Sequence, residues 1–412
     1  MNLKSRLSSL QSQAGTGMTQ AAPKPSVSNL RERIAQLEQR GRSCRSPSAR
    51  TASAPRLPPE RLARALHGEL VADGVIGIHQ RLPLSGELGS IDLGILRAPP
   101  RVPGESTTSD LRRDYIDTET TGLSGGSGTL AFLVGIAVVD GEAIELKQFL
   151  LTRFAAEAAL LKAFAQTLSA DDRLISYNGK SYDLPLLITR FRMQAMAQPF
   201  GGLPHLDLLH PVRRLFSTRW ADCRLISLEQ NLLGFRRVDD LPGSEAPAAW
   251  FSYMRFGHAA ALSKVVEHNR QDILSLAVAH SALAHAVAAP RTFNVDLHAL
   301  ARWLAESSED QARTLLESHQ SVLCDPGRRL LAKLLRRAGH WPQAVAVWES
   351  LAARGCRDSM ERLAKYHEHI SKDLAAARRC CDMLPGDSEG KQHLRKRIEH
   401  KLATVARRSP SP

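Results

Sequence analysis

The stretch Tyr115-Ile116-Asp117-Thr118-Glu119-Thr120-Thr121-Gly122-Leu123 sets two carboxylates one residue apart at the end of what reads as a buried strand. On a strand, residues i and i+2 share a face, so Asp117 and Glu119 stand side by side. Their repulsion is costly unless something positive lies between them, and a divalent cation on oxygen ligands is the usual remedy. A metal-dependent site is therefore the first reading. A half-exposed strand edge with two solvated acids is the plain alternative.

Two later segments each set a further aspartate beside an apolar element. They are Ile175-Ser176-Tyr177-Asn178-Gly179-Lys180-Ser181-Tyr182-Asp183-Leu184-Pro185 and Glu267-His268-Asn269-Arg270-Gln271-Asp272-Ile273-Leu274. The order Asp-x-Glu, Asn-x-x-x-aromatic-Asp and His-x-x-x-Asp resembles the three motifs of the DEDD 3′–5′ exonucleases in the ribonuclease H-like superfamily. The YprB-type branch is nearer still. The shared features are a Thr-Gly-Leu-x-Gly-Gly-x-Gly-Thr loop from 121 to 129, His-Leu-Asp-Leu-Leu-His-Pro from 205 to 211, and Leu-Gly-x-x-Arg-x-x-Asp-x-Pro-Gly from 233 to 243. The resemblance spans roughly residues 65 to 290.

What the resemblance implies is a metal-dependent exonuclease that hydrolyses phosphodiester bonds at single-stranded DNA or RNA ends with two divalent ions, Mg²⁺ or Mn²⁺. Asp117 would bridge the ions, Glu119 and Asp272 would complete the shell of the catalytic one, and Asp183 would hold the second through water. His268 is then the candidate general base. It stands four residues before Asp272, the spacing at which the tyrosine branch of the superfamily carries its Tyr; the histidine branch has its His five before. On a helix, i and i+4 share a face, so His268 and Asp272 both reach the site. Thr118, Tyr177 and Asn178 are the candidates for contacting the terminal nucleotide. Lys180 either pairs with a phosphate or is solvated. Asp207 reads as a structural acid at a strand-helix junction, and His205, His210, His280 and His285 as structural residues.

Composition bounds the rest. With 412 residues, 43% of them hydrophobic, the chain can bury more than one core. Its longest apolar run, Leu130 to Val139, is about half of the ~20 residues a membrane span needs, and no apolar segment follows the charged N-terminus. A soluble, cytoplasmic protein without membrane partners is expected. The six cysteines show no zinc spacing and read as reduced, Cys380 and Cys381 as helix-core residues. The net charge of +13 sits at the ends: residues 1–60 hold ten Lys/Arg against three Asp/Glu, and residues 391–412 seven against one. Basic ends suit attraction to a phosphate backbone or serve as solvated tails.

Five regions follow along the chain. Residues 1–60 form a basic segment with the profile of disorder, broken by helical spacing over 29–40. Residues 61–104 form a lead-in that begins with a helix over 61–70. In 105–290, strands over 113–117, 131–139 and 143–150, a helix over 155–168, a strand over 173–177 and a helix over 184–196 predict an α/β ribonuclease H-like mixed sheet flanked by helices. The glycine-rich loop 122–129 lacks the Gly-Lys-Ser/Thr ending of a phosphate-cradling P-loop. Residues 295–390 read as helical throughout. Leu331-Ala332 and Leu363-Ala364 recur at a spacing of 32, with Ala344 and Ala376, then Trp348 and Cys380, following in step. That pattern resembles degenerate tetratricopeptide repeats, which implies a protein partner or a cap on the neighbouring domain. Residues 391–412 are a basic tail. A scaffold or nucleic-acid-binding protein with a slow or inactive nuclease core is the alternative to the enzyme.

Overall fold

Neighbouring residues of the strand that carries Asp117 enter different cores. Ile116 packs with Val134, Leu174 and Leu187, whereas Tyr115 packs with Ile175, Leu276 and Ala279. A strand buried on both faces belongs to a sheet covered by helices on both sides, and the chain, described here from a computed structural model, has that arrangement. The structure describes residues 57–105, 111–122, 128–386 and 388–408. The helical stretch expected over 29–40 and most of the glycine-rich loop lie outside those residues.

The first elements are α1 (Pro59–Ala65), β1 (Glu69–Ala72), β2 (Val75–Pro83), and the short β3 (Glu87–Leu88) and β4 (Ile91–Asp92). Three long strands follow, β5 (Arg112–Thr120), β6 (Ala131–Asp140) and β7 (Ala143–Leu151). Next come α2 (Glu157–Ala165), β8 (Asp172–Ser176), α3 (Asp183–Met193), β9 (His205–Asp207), α4 (Leu209–Phe216) and α5 (Leu225–Leu228), which runs into a π-helical turn over Glu229–Leu233. Helix α6 (Ala246–Phe256) and the 29-residue α7 (Ala260–Ala288) complete the α/β part. The seven-stranded sheet has the order β1-β2-β7-β6-β5-β8-β9. Its first four pairings are antiparallel, and β5–β8 and β8–β9 are parallel. The mixed sheet expected from the sequence is borne out, with β5 at the join between its antiparallel and parallel halves.

Three elements differ from expectation. The helix expected over 61–70 stops at Ala65, because His67 turns left-handed (φ 55°) and the chain continues into β1. Gly68 lies against β2, where an added Cβ would come 2.5 Å from the Gly77 carbonyl oxygen. The strand expected to end at Asp117 continues to Thr120, held by pairing with β6 through Glu119↔Leu133 and Thr120↔Ala131. Asp117 and Glu119 thus lie within the strand, with the register shifting just after Glu119. The basic tail is helical to Arg408, and its helix buries Leu394 and Ile398 at i, i+4 spacing.

The helical region runs through α8 (Leu297–Leu304), α9 (Glu309–Ser318), α10 (Asp325–Arg337), α11 (Trp341–Ala352), α12 (Arg357–His369), α13 (Leu374–Asp382) and α14 (Glu389–Arg408). The repeated Leu-Ala pairs are buried at matching places in α10 and α12. Arg397 and Lys401 reach back to Glu368, 2.6 and 2.8 Å away, and hold its carboxyl at about 2 against the burial that would raise it. At the other end, α8 shares a core with the α/β part: Leu300 and Trp303 pack in the same cluster as Leu215 and Leu276. The Arg214 guanidinium lies 5.3 Å above the Trp303 ring, and Thr218 donates to Asp296 at 2.9 Å. Among the described residues no helix is long and apolar enough to cross a membrane.

Where β5 and β8 begin to pair, buried Asp114 and Asp172 share one guanidinium. Arg112 donates to Asp172 at 2.6 and 3.0 Å and lies 3.2 Å from Asp114. Burial, with Asp172 beside it, pushes Asp114 up to about 8, while the hydrogen bonds to Asp172 outweigh its own burial and lower it. A carboxyl raised in the folded state favours folding fully below its unfolded value near 4 and loses that contribution as pH rises toward 8. Asp114→Asn, a permanent mimic of the protonated acid, should come nearest the wild type in thermal melts below about pH 4 and exceed it increasingly as pH rises to about 9. Parallel curves for the two proteins across that range would remove Asp114 from the alkaline loss of stability.

Candidate active site

Asp117 and Glu119 project from β5 toward α7, and the approach of that helix depends on a glycine. Gly135 on β6 is the register partner of Asp117. A Cβ there would overlap Ile273 Cδ1 and Asn269 Oδ1. With no side chain in the way, the buried Asn269 donates its Nδ2 to Asp117 Oδ2 at 2.7 Å, and Gln148 on β7 donates to Asn269 Oδ1 and Val266 O, both at 2.8 Å. The Gln148–Asn269–Asp117 chain fixes one oxygen of Asp117 and leaves the other for the site. Gly135→Ala should cost about 1–3 kcal/mol of stability through overpacking and push Asn269 off Asp117. Urea melts paired with rate measurements check this, and an alanine variant as stable as wild type would mean that α7 can move aside.

One residue before Asn269, His268 points Nε2 at the acids, 4.0 Å from Glu119 Oε1 and 3.7 Å from Asp272 Oδ2. Its Nδ1 lies 2.7 Å from Asp240 Oδ1. With the Nδ1 proton given to that carboxylate, Nε2 is left as the acceptor facing the acids. Arg237 Nη1, 3.2 Å from the same Nδ1, is then an electrostatic neighbour and not a second hydrogen bond.

Asp183 is the first residue of α3 and accepts a hydrogen bond from Thr118 Oγ1 on β5. Burial pushes its carboxyl up to about 6, and that hydrogen bond works in the opposite direction. The turn leading to it is tied to Asp207, which is almost wholly buried. Asp207 accepts from the backbone amides of Asn178 (2.7 Å), Lys180 (3.1 Å) and Leu209 (3.1 Å). Asn178 adopts a left-handed conformation (φ 66°) that asparagine tolerates better than most residues. Thr118 and Tyr177 are engaged within the protein, Thr118 on Asp183 and the Tyr177 hydroxyl on the Cys223 carbonyl at 2.6 Å. His280 is enclosed between Tyr115 (3.3 Å) and Glu105 (3.4 Å), and His205 meets Ser176 at 2.7 Å.

The acids repel one another. Burial first, then Asp272, Asp183 and Glu119, raises Asp117 well above the usual carboxylate range, with the Asn269 hydrogen bond opposing. Burial, Asp272, Asp183 and Asp240 raise Glu119 likewise, with Arg237 opposing. Such a cluster has a high affinity for protons or for any cation that replaces them. Its donors are carboxylate oxygens with one imidazole, a set that suits hard divalent ions such as Mg²⁺ and Mn²⁺. Among the described residues no group of three or more His, Cys, Asp or Glu stands placed so as to hold a metal ion.

Sequence reading singled out Asp117, Glu119, Asp183, His268 and Asp272, and the fold brings these residues together between the C-terminal half of β5, the start of α3 and the first half of α7. It passed over Asn269, Gln148, Glu229, Arg237 and Asp240. The available signal was the stretch from 233 to 243, whose Arg237 and Asp240 were read as resemblance and given no role. Arg237 donates to Asp272 and to Glu229 at 2.6 and 2.9 Å, and pairs with Asp240 at 3.3 Å.

A family model described as the RNase H superfamily matches residues 115–284. YprB of Bacillus subtilis (strain 168) is 33% identical over 290 residues, covering 66% of this chain and 69% of YprB. A solved family B DNA polymerase from the hyperthermophilic archaeon Pyrobaculum calidifontis is 12% identical with a TM-score of 0.34, the match covering 67% of this chain. This chain spans 35% of the polymerase's length.

Proposed function

The chain belongs to the RNase H superfamily, as a relative of YprB, and from that membership we propose that it is a metal-dependent 3′–5′ exonuclease acting on single-stranded DNA or RNA ends. The observation that carries the reading is the set of mutually repelling acids, Asp117, Glu119, Asp183 and Asp272, met by a histidine whose outer nitrogen is held by a carboxylate. A core kept only for binding has no physical use for such a cluster. Bound divalent ions would supply an activated water and positive charge opposite the phosphate. Asp117 and Asp272, each with one oxygen tied down by Asn269 and Arg237, offer the other as ligand. Glu119 and Asp183 complete the set. His268 Nε2 takes the proton of the attacking water, and Asp240 stabilises the imidazolium that results.

Incubating end-labelled single-stranded DNA and RNA with the protein in EDTA, Mg²⁺ or Mn²⁺ tests the proposal. Stepwise shortening from the 3′ end that needs the ion is expected, and hydrolysis unaffected by chelator would overturn it. The helical region, with hairpins stacked at a 32-residue interval between the starts of α10 (Asp325) and α12 (Arg357), supports a tetratricopeptide-like role in holding a protein partner.

A further inference from the structure

The loop between the π-helical turn and α6 is pinned at its start. Gly234 is left-handed (φ 64°), and a Cβ on it would come 2.7 Å from Ser90 Oγ. Ser90 donates both its amide and its hydroxyl to the Leu233 carbonyl, at 2.8 and 3.0 Å. From this anchored corner the chain delivers Arg237, whose side chain is only 8% exposed, into the back of the acid cluster.

Arg237 has five donors in a rigid fork, and the structure gives them four oxygens on three carboxylates. Nε and Nη2 clasp the two oxygens of Glu229, a wholly buried carboxylate on the π-helical turn. Nη2 also reaches Asp272 Oδ1, and Nη1 reaches Asp240 Oδ2, while Asp240 Oδ1 holds the histidine. A buried guanidinium facing three carboxylates is a costly arrangement if its task is only to close a loop, since an apolar contact would serve as well. Bidentate attachment to Glu229 fixes the plane of the fork. The fork in turn fixes the rotation of Asp272, so that Oδ2 is the oxygen turned toward His268 and the other acids.

We infer that Arg237, clamped by Glu229, is the positioning residue that orients Asp272 as a metal ligand and Asp240 as the partner of His268. The inference rests on the metal-dependent reading of the site. The Arg237 fork is occupied by Glu229, Asp240 and Asp272. Its effect passes through Asp272 and Asp240.

The experiment is calorimetric titration of Mn²⁺ into the full chain without nucleic acid, paired with steady-state rates on a labelled single strand. Loss of an outer-shell partner costs about 10–100-fold in metal affinity or activity. Arg237→Gln should therefore weaken Mn²⁺ binding and lower kcat by about that factor, with KM little changed. Arg237→Lys should restore little, because an ammonium cannot span Glu229 and Asp272 together. Asp240→Asn should lower kcat while leaving Mn²⁺ affinity near wild type. If Arg237→Gln fails to fold, Glu229→Gln carries the same test and should weaken Mn²⁺ binding while the arginine charge remains.

Wild-type Mn²⁺ affinity in a folded Arg237→Gln or Glu229→Gln protein would overturn the inference and leave the metal reading intact. So would a raised KM with unchanged affinity for the ion, which would make Arg237 a substrate contact. Absence of Mn²⁺ binding by the wild type would overturn the metal reading itself and this inference with it.

Discussion

Asp117→Asn should abolish hydrolysis and, with it, the rise in melting temperature that Mn²⁺ gives the wild type. Asp117 stands where burial and the acids Asp272, Asp183 and Glu119 all disfavour a negative charge, so the metal-free site is under electrostatic strain that an ion would relieve. Asparagine keeps the shape and the contact with Asn269 but removes a charge. In EDTA the variant should melt at or above the wild-type temperature, the reverse of what most substitutions at half-buried positions do. In Mn²⁺ it should gain nothing. Differential scanning calorimetry with and without the ion, beside the cleavage assay, reads both effects. A variant that is still stabilised by Mn²⁺ as much as the wild type would show that the ion binds elsewhere.

The second large effect is expected at His268. Removing a general base costs about 10²–10⁴-fold in rate, so His268→Ala should lose activity on that scale while keeping its Mn²⁺ stabilisation and its binding of single strands. The distinction from Asp117 follows from position: Nε2 lies 4.0 Å from Glu119 and 3.7 Å from Asp272, close enough to act on a water between them. His268→Tyr is the sharper variant, since tyrosine occupies this spacing in the related branch, and partial recovery over alanine is expected. If wild type and His268→Ala both bind single strands and neither cleaves above background, the scaffold reading should replace the enzyme.

The parts of the site legible in the sequence were those whose chemistry is local. Asp117 and Glu119 announce themselves by alternation on one strand, His268 and Asp272 by one turn of helix, and Asp207 by its place at a junction. Groups recruited across the fold gave no such signal. Gln148 is an ordinary polar residue in an apolar strand until β7 is set beside β6 and α7 crosses both. Arg237 belongs to the stretch from 233 to 243 that carries the family resemblance, but only the closed corner at Gly234 turns it inward to the acids. The lead-in misread has the same origin: Leu62, Ala63 and Leu66 carry a helical pattern, but pairing with β2 claims the next residues for the sheet.

The sharing of one core by α8 and the α/β part bears on how such a protein can be cut and inherited. A break after residue 290 would strip Val295, Leu300 and Trp303 from the cluster that holds Leu215, Leu276 and Leu283, leaving an open apolar wound on the nuclease fragment. Expressed alone, that fragment should precipitate where the full chain stays in solution, a comparison that gel filtration of the two products decides. Recombination that swapped the helical array for another module would meet the same obstacle, so the end of α7 is no seam for it.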